Sequence, residues 1–201
     1  MFRRVKTYDP SASSGAVRKL RFFLLIGAVA LAGCDDPLGP SVWNDTPIAV
    51  RIWSIDRVEH LTLPSAFDFA SRRRVSVEYP NTSTNWDIML SDADGGLVLR
   101  PQGAYPDFNS RAGIAVITDR SFEEIDRAPG DGAYVTDAAV PVSEGDVLVV
   151  RSRLAPCFYG SGYFYGKLKV TEVDVEEGTL TFEVVANEIC NDRSLVSPKD
   201  D

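Results

Sequence analysis

The chain has 201 residues, 44% of them hydrophobic and 25% charged, with a net charge of −8. Those values suit one globular domain with additional segments. The acidic balance argues against nucleic acid as a partner, because a phosphate backbone would be repelled.

The first 33 residues read as a secretion signal. Arg3, Arg4, Lys6, Arg18, Lys19 and Arg21 make a basic leader, followed by an apolar run, FFLLIGAVAL, at residues 22–31. That run is shorter than the roughly 20 residues a membrane-spanning helix needs. It closes on Leu31-Ala32-Gly33-Cys34, which resembles the bacterial lipobox. The resemblance implies cleavage before Cys34 and acylation of its thiol. The expected address is a bacterial cell envelope, anchored by lipid to the inner or outer membrane, with the domain facing the periplasm or the cell surface. Removing six of 21 basic residues and one of 29 acidic residues leaves 15 and 28, a net charge of −13. The acyl chains, and not a basic face, would then hold the protein at its membrane.

Residues 34–47 (CDDPLGPSVWNDTP) are rich in proline and aspartate and read as the lipidated cysteine with a flexible tether. From Ile48 the pattern turns to β. Ile48, Val50 and Ile52 alternate with Ala49, Arg51 and Trp53. Residues 66–71 and 74–79 follow as strands, with Val75 and Val77 on one face. Residues 85–90 and 97–100 form a hairpin across an aspartate-glycine turn, and residues 114–118 make a further short strand. Ser121 with Glu124 three residues on is a capping box, predicting a helix of two turns that Pro129-Gly130 stops. The last third returns to strands at 146–152, 163–175 and 179–187, the last two joined across Glu176-Glu177-Gly178. The fold class expected is all-β: one antiparallel domain over 48–192 with one short helix, then a polar tail at 193–201.

Candidate chemistry is sparse. The acidic turn Asp92-Ala93-Asp94-Gly95-Gly96 invites a calcium reading, but an EF-hand loop ends in a bidentate glutamate at its twelfth position. Counted from Asp92, that position is Gly103. Aspartate and glycine are also what a tight hairpin demands, so the turn is the better reading. His60 is the single histidine, placed by its neighbours on a strand surface, and no serine or cysteine stands in a nucleophile context beside it. No catalytic residue and no metal site is expected. Cys157 and Cys190 could be a metal pair or reactive thiols; without ligand spacing, and outside the cytoplasm, they read as a disulfide. The aromatic segment at 157–165 (CFYGSGYFY) offers Tyr159, Tyr163 and Tyr165 as stacking faces for a ligand, although core packing over the disulfide explains them better.

Three stretches taken together resemble the HmuY-type haem-binding lipoproteins: FDFAS at 67–71, WDIML at 86–90, and FEEIDRAP at 122–129 with AYVTD after it. The resemblance implies a secreted, lipid-anchored, nearly all-β scaffold. It also implies haem ligation by paired histidines or by methionine, for which this chain offers only His60 and Met89. Strand alternation sets Met89 on the face opposite Trp86, Ile88 and Leu90, where it would be exposed. No haem ligand is therefore carried over, and no cofactor is expected. The reading is a non-enzymatic envelope lipoprotein that binds an unknown small ligand or an envelope protein. A haem carrier using His60, Met89 or the aromatic residues is the alternative, and an assembly protein without a small ligand is a third.

Overall fold

Side chains that alternate in and out of a pleated chain build twelve strands among the described residues of the computed structural model, which are 42–77, 84–93 and 95–198. In chain order these are β1 (Ile48–Trp53), β2 (Ala66–Asp68), β3 (Arg73–Val75), β4 (Ile88–Ala93), β5 (Gly96–Pro101) and β6 (Gly113–Ile117). They continue as β7 (Val140–Pro141), β8 (Val147–Arg151), β9 (Ala155–Pro156), β10 (Ser161–Gly162), β11 (Tyr165–Asp174) and β12 (Thr179–Ala186). One five-stranded sheet has the order β1-β12-β11-β8-β6 and the other β3-β2-β4-β5-β7; β9 and β10 form a separate ribbon. Every pairing is antiparallel. The only helices among the described residues are three-residue 3-10 turns.

The two large sheets enclose one apolar core. Val50, Ile52, Leu168 and Phe182 reach into it from the first sheet, and Phe67, Ile88, Leu90 and Leu99 from the second. Phe67 meets Phe182 edge-on with ring centroids 5.9 Å apart, within the favourable range for such pairs. Both sheets are also covered on their outer faces. Phe122, Ile125, Leu195 and Trp43 lie over Val147, Val149 and Val185 of the first. Trp86, Met89, Ala66 and Val75 form a cluster on the second, closed by Tyr105 and Phe108. These three clusters lie in the compact unit that begins at Ser41, which therefore has the packing of an independent domain.

The hairpin at the acidic turn forms as expected. Leu90 faces Leu99, Ala93 faces Gly96, and Gly95 has φ +84° in the turn. Asp94 lies outside the described residues. Asp92 accepts from the Arg57 guanidinium at 3.1 Å, and its own N–H donates to Asp56 at 2.8 Å. Arg57 also donates to the carbonyls of Val175 and Glu176, clamping the β11–β12 turn where Gly178 has φ +66°. The acidic turn is thus a structural clamp.

The expected helix after Ser121 does not form. The Glu124 carboxylate does reach back to the Ser121 N–H at 2.8 Å, one half of a capping box, which holds Glu124 below its ordinary pKa. The next backbone groups, however, find partners elsewhere. The carbonyls of Phe122 and Ile125 accept from the Lys167 ammonium at 2.8 and 2.9 Å. The Ala128 N–H donates to the Arg193 carbonyl, and the Leu195 N–H to that of Asp126. Long-range pairing takes the groups that a second helical turn would have used. Packing also extends beyond 48–192 at both ends. Trp43 is buried and its backbone N–H donates to Ser197 Oγ at 2.9 Å, and Leu195 is fully buried.

Candidate functional site

Four groups of residues carry chemistry in this fold: the disulfide ribbon, a buried charge triad, the His60 and Met89 positions, and an arginine-lined groove. Cys34 lies outside the described residues.

Cys157 and Cys190 are joined, with Cα atoms 6.0 Å apart. The bond fixes the β9–β10 ribbon, whose turn closes through the Cys157 N–H donating to the Gly160 carbonyl at 3.0 Å. Gly160 has φ +86°, and a Cβ at Gly162 would run into the Cys190 sulfur and the Asn191 amide. At the tip, Phe158 is 90% and Tyr159 89% exposed, their rings stacked edge to face at 4.6 Å. The aromatic segment therefore divides. Phe164 and Tyr165 are buried, Tyr163 is half-buried, and Phe158 with Tyr159 stands in solvent. Burial holds the Tyr165 hydroxyl above its ordinary pKa, with Arg151 opposing. The Arg151 guanidinium lies 4.8 Å over the Tyr134 ring and 5.2 Å over that of Tyr163. It donates twice to the Arg111 carbonyl and once to Asp131 at 3.1 Å, so the inner tyrosines serve packing.

His60 is not on a strand surface. It ends the 3-10 turn Val58–His60, is 8% exposed, and its Nδ1 has no hydrogen-bond partner among the described residues. Met89 is not exposed either: at 4% exposure it packs in the cluster that contains Trp86. Met89 does lie opposite Ile88 and Leu90, but not opposite Trp86, which precedes β4 and shares its cluster; Tyr105 and Phe108 pack against that cluster. Neither residue lines any of the grooves described for this surface. Among the described residues no cluster of three or more His, Cys, Asp or Glu could hold a metal ion.

The triad was missed in the sequence. Asp87, second residue of WDIML, is fully buried. Its carboxylate accepts from the Phe69 N–H at 2.7 Å, the Arg153 N–H at 2.7 Å and the Arg153 guanidinium at 3.0 Å. The same guanidinium donates to Asp68 at 2.8 Å. Burial pushes the Asp87 carboxyl up to about 6; Arg153 opposes the rise and the Asp68 charge adds to it. The signal was present, since an aspartate inside an apolar strand is buried only when paired. Its partner, however, lies 66 residues away. The triad ties β2 and β4 to the chain leaving β8, which is a structural task.

The groove lies at the open side of the sandwich, where β1 ends one sheet and β3 ends the other. Arg51, Arg72, Arg73 and Arg74 line it together with Ile48 and Phe67. Arg72-Arg73-Arg74 was legible in the sequence as a basic run, but only the fold sets it beside Arg51.

These sites offer aromatic, cationic and apolar contacts for binding. The paired glutamates at 123/124 and 176/177 are all exposed. No protein-family model, no curated protein and no solved structure matches the chain.

Proposed function

We propose that the chain is a lipid-anchored protein of the bacterial cell envelope, built on a β scaffold like that of the HmuY-type lipoproteins, and that it works by binding an envelope protein without catalysis. The observation that carries this reading is the exposed Phe158–Tyr159 pair on a ribbon fixed by a disulfide. Two large aromatic side chains held in water lose apolar burial that a partner could restore. Fixing their loop beforehand lowers the ordering cost of association. Aromatic residues are also enriched at the cores of protein interfaces. Leu154, 60% exposed and on the approach to the ribbon, would extend the contact. The strongly acidic chain fits a partner whose apolar pocket has a basic rim. The lipobox-like stretch and the disulfide both support this reading, since disulfides persist in oxidising compartments outside the cytoplasm.

The test has two arms. Cys34→Ser should move the protein from the membrane to the soluble fraction of cells, and unchanged membrane recovery removes the anchor. A photoreactive residue at position 159 should cross-link one envelope protein, whereas the same residue at exposed position 123 should not. Identical adducts at both positions, or none at 159, remove the docking tip.

A further inference from the structure

We propose that the open edge of the sandwich between β1 and β3 binds an amphiphilic anion, a carboxylate or phosphate head carrying an alkyl chain. This site is separate from the aromatic tip and does not depend on it.

The groove has a volume of about 640 Å³. Its rim carries four arginines, Arg51, Arg72, Arg73 and Arg74, in a chain whose net charge is −8. Its floor is apolar, from Ile48, Val50 and Phe67. A narrower groove of about 210 Å³ shares Ile48, Phe67 and Arg72, and continues the apolar floor past Val184 and Ala186. Ile48 sits at this edge on the core-facing side of β1, yet 48% of it is exposed, because no neighbouring strand covers it. The floor therefore offers a track for an alkyl chain, and the rim offers charge for its head.

The arginines are unevenly occupied. Arg51 pairs with Glu172 at 2.5 Å, and Arg72 pairs with Glu188. Among the described residues Arg74 reaches only the Arg51 carbonyl, at 3.4 Å, and Arg73 makes no ion pair. Arg73 and Arg74 leave β3 on alternate faces but both line the groove, and neither is held by a carboxylate among the described residues. Their planar donor forks match carboxylate or phosphate oxygens. Arg72 has φ +54°, in the left-handed region that glycine or asparagine normally takes. Arginine is a strained choice in that turn, and it leads into Arg73 and Arg74, so that three consecutive arginines line the groove.

The experiment is calorimetric titration of the soluble chain beginning at Asp35, which retains all three apolar clusters. The probes are decanoate, decyl phosphate, 1-decanol and inorganic phosphate. Decanoate or decyl phosphate should bind at least about tenfold more tightly than decanol or inorganic phosphate, and comparing the two heads tells carboxylate from phosphate. Arg73→Glu combined with Arg74→Glu should weaken binding by about tenfold or more, and so should Ile48→Asp. All three positions are exposed, so the melting temperature should stay near that of the parent. Equal affinity for decanol means a plain apolar cleft, and equal affinity for inorganic phosphate means a bare anion site. Either result overturns the proposal, as do unchanged affinity in both variants or no binding of either anion.

Discussion

Asp87 and Arg153 meet twice, once through the Arg153 backbone N–H at 2.7 Å and once through its guanidinium at 3.0 Å. Both oxygens of the Asp87 carboxylate are occupied, since the other accepts from the Phe69 N–H. Asparagine in its place would turn an NH2 group toward one of these donors and leave a buried N–H without an acceptor. Asp87→Asn should therefore lower stability by about 2–3 kcal/mol at pH 7. For a chain of this size that is a drop of roughly 5–10 °C in melting temperature. A change within 1 °C by calorimetry would show that the triad is dispensable.

The same carboxyl gives a pH dependence of defined sign. Its folded pKa is about 6, against 3.8 in the unfolded chain. Between these values the native state holds the proton that the unfolded state has released, so stability falls as pH rises. The contribution is fully present below about pH 4 and is lost as pH passes through about 6, amounting to up to about 3 kcal/mol. Asparagine does not titrate. The stability difference between the parent and Asp87→Asn should accordingly widen as pH falls from 7 toward 4. A constant difference across that range would count against a raised pKa.

Lys167 closes the segment where a helix was expected. Its ammonium is buried beneath the turn, donates to the Phe122 and Ile125 carbonyls, and lies 4.8 Å from the centre of the Phe122 ring. Burial holds its pKa below the ordinary lysine value. Lys167→Met keeps the length of the side chain and orphans both carbonyls. It should cost about 1–3 kcal/mol and raise amide hydrogen exchange across residues 121–128. Lys169→Met, two residues along the same strand and only half-buried, should stay within about 0.5 kcal/mol of the parent. Equal effects at both positions would deny Lys167 its special place.

These elements show how much of the fold could be read in advance. The long strands were legible because alternation is local: β1, β5, β6, β8, β11 and β12 lie within a residue or two of the runs their sequences mark. The β4–β5 hairpin was legible from its turn chemistry. The two-residue strands β7, β9 and β10 were not, because so short a run has no period. The helix failed for a different reason. Local capping chemistry is intact at Ser121 and Glu124, but Lys167 and Arg193 compete for the backbone from more than 40 residues away. Burial failed likewise at Met89, since alternation assigns a face without telling what covers it. Of the groove arginines, 72–74 are one run in the sequence, but only the edge of the sandwich sets that run beside Arg51 of β1.

The positions of His60 and Met89 bear on haem. A ligating pair must present imidazole and thioether from opposite sides of the iron. Here one sits in a short turn and the other in a closed apolar cluster. Titration of the soluble chain with micromolar haemin should give no shifted Soret band of a His/Met complex. Such a band, abolished by His60→Ala, would reinstate a haem carrier.

The disulfide ribbon separates stability from binding more cleanly than any other feature. Cys157 and Cys190 are 33 residues apart, and closing a loop of that length stabilises a fold by about 3–4 kcal/mol in the chain-entropy model. Reduction, or Cys157→Ser with Cys190→Ser, should therefore lower the melting temperature by roughly 7–15 °C. Phe158 and Tyr159 make their ring contact with each other and project into solvent. Phe158→Ser with Tyr159→Ser should leave stability within about 0.5 kcal/mol of the parent, because neither side chain fills the core. The same double variant should abolish cross-linking from a photoreactive residue at position 154. A large loss of stability in Phe158→Ser with Tyr159→Ser would mean that the tip packs against the domain, and the docking role would then lose its basis.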